Sequence, residues 1–79
     1  MTAIDLCRYN LSQETKDDFQ AYLAAKKEMD NNPSPDNRYE FKRSYESVFN
    51  DVKAEKSVHK ISQQELDELI NSINEVIDG

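Results

Sequence analysis

Apolar residues recur at helical spacing in three stretches of this chain. The clearest stripe is the last, where Leu66, Leu69, Ile70, Ile73, Val76 and Ile77 fall on one side while Asp67, Glu68, Asn71, Glu75 and Asp78 face away. Its start is marked by Ser62-Gln63-Gln64-Glu65, a capping box in which serine and glutamate each satisfy an orphaned backbone N–H. Ile61 and Leu66 bracket that box as a hydrophobic staple, so the pattern predicts a helix over about 63–77.

A second stripe, Phe41, Tyr45, Val48, Phe49 and Val52, predicts a helix over about 35–55. It opens with Ser34 as cap and Pro35 at the first helical position, where a missing N–H costs nothing. The third stripe is Phe19, Tyr22, Leu23, Ala25 and Met29, on a helix over about 13–30 capped by Ser12. Glu14, Asp17 and Asp18 suit the positive end of that helix. Lys26 lies inside the stripe and is read as a snorkelling side chain, its stem on apolar surface and its ammonium in water.

Between the first two long helices, residues 31–37 carry two prolines and three asparagines and read as a linker. A break is expected near 57–60. At the N-terminus, Thr2 as cap, Asp5 in the first turn and Asn10 as a left-handed stop give a short helix over about 3–9. The alternation of Ile4 and Leu6 around Asp5 leaves a short strand as the alternative there. The expectation is an all-α fold: one domain spanning 1–79, a compact bundle of three amphipathic helices plus the short N-terminal one.

Glycine changes the picture by its absence, since Gly79 is the only one in 79 residues. Phosphate-cradling loops and two-residue hairpins depend on glycine at positive φ, so Walker-type and dinucleotide-binding loops are excluded. At 37% apolar and 33% charged, the chain sits on the polar side of globular proteins. No apolar run reaches the length of a signal-peptide core or a membrane span. The single cysteine, Cys7, rules out an internal disulfide framework. With Met1 at the start, the chain is taken as a complete cytoplasmic product.

Catalytic and metal chemistry find little to work with. Cys7 and His59 are the sole thiol and imidazole, and they are expected as a small core residue and a loop or helix-end residue. Glu55 and His59 are four apart, but two ligands make no site. A calcium loop beginning at Asp30 would place Pro35 at its glycine and Phe41 at its bidentate glutamate. The neighbours Asp17 and Asp18, like Asp67 and Glu68, diverge by about 100° on a helix and make no dyad. No catalytic residue, cofactor or metal is assigned.

Net charge is −6, unevenly spread. Residues 38–60 hold six bases against four acids, whereas 61–79 hold five acids and no base. Arg38, Lys42, Lys53 and Lys56 form a basic flank, and the short connection into Ser62-Gln63-Gln64 has helix-turn-helix spacing. The would-be recognition helix would repel phosphate, so a DNA-binding regulator is the alternative and nucleic acid an unfavoured partner. Protein recognition remains, with three candidate surfaces. Tyr39 lies off the core stripe among Lys42, Arg43, Glu46 and Asn50, a composition typical of interface anchors. Glu14, Asp17, Asp18, Asp67, Glu68 and Glu75 could present carboxylates to a basic partner. Leu66, Leu69, Ile73 and Val76 occupy heptad positions and could join two copies, although intramolecular packing is the simpler use. The expected function is thus a small acidic binding protein: an inhibitor, an antitoxin- or immunity-like factor, or a regulatory subunit.

Overall fold

The computed structural model describes residues 6–78. A 3-10 turn at Leu6–Arg8 leads into three helices: α1, Gln13–Asn31; α2, Pro35–Ser57; and α3, Gln63–Asp78. The fold is an all-α bundle in which α1 and α3 run in the same direction and α2 runs against both. The helix ends fall within one or two residues of those the caps predict. Ser12 Oγ accepts from the Thr15 N–H, Ser34 Oγ from the Asn37 N–H, and Ser62 and Glu65 exchange both bonds of the capping box.

Each helix gives the core a short ladder of buried side chains at helical spacing: Phe19 and Tyr22 from α1, Val48 and Val52 from α2, and Leu66, Leu69, Ile73 and Val76 from α3. Leu11 and Ile61, in the segments before α1 and α3, close the end where those two helices begin. The 23 residues of α2 make a rod of about 35 Å, nearly the 38 Å long axis of the molecule. With 16 residues, α3 is only about 24 Å long. It is shorter than the α1–α2 hairpin it packs on, and Leu23, Met29, Phe41, Tyr45 and Phe49 are half-buried although they lie on the predicted stripes. Tyr22 stacks on Phe41 at 5.2 Å and donates its buried hydroxyl to the Ile73 carbonyl at 2.8 Å, tying all three helices together. Lys26 snorkels as expected, its ammonium 3.1 Å from Asp30 and 5.8 Å from the Phe41 ring centroid.

The N-terminal segment departs from the sequence reading. Thr2, Ile4, Asp5 and the start of the expected helix lie outside the described residues. Leu6–Arg8 form a single 3-10 turn, with three residues per turn, so Leu6 and Tyr9 share an inward side. Cys7 is therefore exposed and not a core residue. Asn10 is not left-handed; among the described residues the positive-φ position is His59, at 64°. There the His59 N–H bonds the Lys56 carbonyl and the Lys60 N–H bonds the Glu55 carbonyl, the two bonds of a Schellman cap. Asn37, assigned to the linker, sits in the first turn of α2. Its amide donates to the Asn32 carbonyl at 2.7 Å, capping α1 from its neighbour.

Candidate functional site

Tyr39, Lys42, Arg43, Glu46 and Asn50 are all exposed, and at about 100° per residue they lie within about 60° of one direction around α2. Tyr39 retains 60% of its accessible surface, the guanidinium of Arg43 lying 5.8 Å from its ring centroid. An exposed cation over a ring face is attracted by about 0.5–1 kcal/mol, which favours this paired arrangement over others and lowers the entropy that binding would remove. Further along, Lys53 lies over Phe49 at 5.2 Å.

Beside this face runs a groove of about 170 Å³ between α1 and α2, lined by Asp18, Ala21, Glu40, Arg43, Ser44 and Ser47. The small side chains of Ala21, Ser44 and Ser47 leave the space open. Arg43 belongs to both groove and face, so the two are continuous. The groove is invisible in the sequence, because it exists only once α1 and α2 pair.

The six acids expected as one array are divided. Glu14, Asp17, Asp67 and Glu75 are exposed, with Asp17 and Asp67 accepting from Gln13 and Gln63 one turn earlier. Glu68 turns inward and accepts the Tyr9 hydroxyl at 2.9 Å. Burial, that bond and the charge of Glu68 together push the Tyr9 phenol up. Asp18 turns into the α1–α2 seam. The proposed dimer residues are used within the chain: Leu69 and Ile73 are fully buried and Leu66 and Val76 nearly so, leaving Ile77 as the exposed apolar residue of α3. Of the basic flank, Arg38, Lys42 and Lys53 are exposed and Lys56 is half-buried.

Sequence reasoning missed the acidic seam. Glu14 and Asp18 on α1, and Asp51 and Glu55 on α2, are each four residues apart, so each pair shares a helix face. Those like-charge spacings beside a core stripe were the available signal. Glu55 is buried, accepts the Ser12 N–H at 2.6 Å and meets the Lys60 ammonium at 3.8 Å. It does not share a face with His59, because α2 ends between them. Asp51 lies near Asp18 across the seam, and its Oδ2 is buried with no hydrogen-bond partner among the described residues. Burial first, then the neighbouring Asp18 and the charges of Glu14 and Glu55, push the Asp51 carboxyl up to about 7.

Among the described residues no group of three or more His, Cys, Asp or Glu is placed to hold a metal ion. No described helix is long and apolar enough to cross a membrane. No family model matches the chain, and no curated protein or solved structure matches it significantly.

Proposed function

We propose that this chain is a small non-enzymatic protein-binding module that acts on its partner through the exposed face of α2. The reading places it among inhibitors, antitoxin- or immunity-like factors and regulatory subunits, working in the cytoplasm. The observation that supports it best is the Tyr39–Arg43 pair, in cation–π contact and solvent-facing beside an open groove. Tyrosine and arginine dominate the energetic centres of protein interfaces, and truncating one such anchor costs about 2 kcal/mol or more. The exposed Glu14, Asp17, Asp67 and Glu75 add a long-range attraction for a basic partner. The DNA-binding alternative has less support, since the exposed side of α3 offers glutamines, asparagines and acids but no cation.

The test compares the wild-type protein with Tyr39→Ala and Arg43→Ala in quantitative capture from cell lysate, alongside circular dichroism and thermal melts. Each variant is expected to lose at least about tenfold of captured partner while keeping its melting temperature. Unfolding of both variants, or undiminished capture by them, would overturn the assignment. Retention of the wild type on DNA at moderate salt would favour the alternative instead.

A further inference from the structure

We propose that the flank of α2 carrying Arg38, Lys42, Tyr45, Phe49, Lys53 and Lys56 is a docking strip for an acidic amphipathic helix of a partner protein. At about 100° per residue these positions lie within about 45° of one direction, and residues 38 to 56 span about 27 Å. The strip holds four of the five cations of α2, while Asp36, Glu40, Glu46, Asp51 and Glu55 all lie at least about 60° away from its axis. It runs on the opposite side of the helix from the groove lined by Glu40, Ser44 and Ser47. Arg38, Lys42 and Lys53 are exposed, and Tyr45, Phe49 and Lys56 are half-buried. The rings of Tyr45 and Phe49 stack at 5.9 Å, and Tyr45 meets the buried Tyr22 at 6.2 Å, which anchors the aromatic centre of the strip to the core. The Lys53 ammonium lies 5.2 Å from the Phe49 ring centroid. Among the described residues the ion pairs are made by Lys26 and Lys60, so none of the four cations on the strip is paired with a carboxylate.

The arrangement selects its occupant. Aromatic rings at the centre with cations toward both ends complement the reverse pattern, apolar side chains between carboxylates. The strip advances in steps of three and four residues, the rhythm at which one helix packs along another. A second copy of this chain presents no such segment, because the apolar stripe that accompanies the acids of α3 is buried in its own core. Nucleic acid and anionic membranes extend beyond the strip and meet the remaining surface of a chain whose net charge is −6. A single helix can lie along the strip alone.

The probe is a fluorescein-labelled synthetic helix of about 18 residues, to match the strip, with glutamates in its first and last turns and leucines at helical spacing between. Fluorescence anisotropy is expected to show saturable binding to the wild type with a Kd below about 100 µM. Raising salt from about 0.05 to about 0.5 M should weaken it by at least about tenfold. Reversing one exposed cation at each end, Arg38→Glu with Lys53→Glu, should cost at least about tenfold and shift preference to a probe whose glutamates are replaced by lysines. Phe49→Ala should weaken binding of the first probe likewise; circular dichroism checks its fold, and the double variant decides should it unfold. Tyr39→Ala and Arg43→Ala should bind the probe as the wild type does, so failure of this strip and failure of the Tyr39–Arg43 face are read separately. No saturable binding, equal binding of the two probes, or binding indifferent to the double variant would overturn the proposal. So would tighter binding of oligodeoxythymidine or of phosphatidylserine vesicles, or a dimer in sedimentation that the double variant splits.

Discussion

His59 offers a sharp test of how a chain without internal glycine ends its longest helix. It occupies the left-handed position of a Schellman cap at φ 64°, where a Cβ crowds the backbone. For an L-residue that conformation costs roughly 1–2 kcal/mol. Glycine would remove the cost but add about 0.5–1 kcal/mol of unfolded-state freedom, leaving a net gain of about 0.5–1 kcal/mol for His59→Gly. The side chain is exposed, so no packing is lost, and both backbone bonds of the cap are kept. For a chain of this size the gain corresponds to roughly 2–8 °C in melting temperature. His59→Ala is the control, because it removes the imidazole while keeping the Cβ. Calorimetry and urea denaturation should place glycine above alanine by about 1 kcal/mol, with alanine close to wild type. If alanine matches or exceeds glycine, backbone strain at this cap is not what limits stability.

Two buried polar contacts make further predictions. Glu55→Ala strips the Ser12 N–H of its carboxylate acceptor and frees Lys60, and should cost about 2 kcal/mol in urea denaturation at pH 5.5. Glu55→Gln keeps an acceptor and should cost about half as much; equal losses would show that charge, not the bond, is what matters there. Tyr22→Phe deletes the hydroxyl that reaches the Ile73 carbonyl and should lower stability by about 1 kcal/mol with an unchanged helical spectrum.

The helices are legible in the sequence because their signals are local. Ser12, Ser34-Pro35 and the Ser62–Glu65 box announce their starts within four residues, and the stripes announce which faces turn inward. Tyr39 can be placed outside the core for the same reason, since its angle relative to Phe41 and Val48 comes from helix geometry alone. The contacts that periodicity misses span the chain. Tyr9 meets Glu68 across 59 residues, and Ser12 meets Glu55 across 43. Each depends on how the helices dock, which periodicity does not specify. The N-terminal turn escapes an α-helical reading because it is a single 3-10 turn, too short to carry a stripe, in which Leu6 and Tyr9 line up on the inward side and Cys7 is left exposed.

How the hydrophobic stripes are spent constrains where an interaction can form. A dimer through α3 would need Leu66, Leu69, Ile73 and Val76, which already close the core of a single chain. Exposing them for a second copy would dismantle the apolar cluster that holds α3 in place. The longest helix has more to offer. α2 uses Val48, Val52 and Glu55 inward, faces the acidic seam with Asp51, and still presents Tyr39, Lys42, Arg43, Glu46 and Asn50 to solvent along about three turns. Its stability rests on tertiary packing along the opposite side, so residues on the outward face can change without unfolding the bundle. That separation lets binding and folding be tested independently: substitutions at Tyr39 and Arg43 address the partner, and substitutions at Asp51 and Glu55 address the seam.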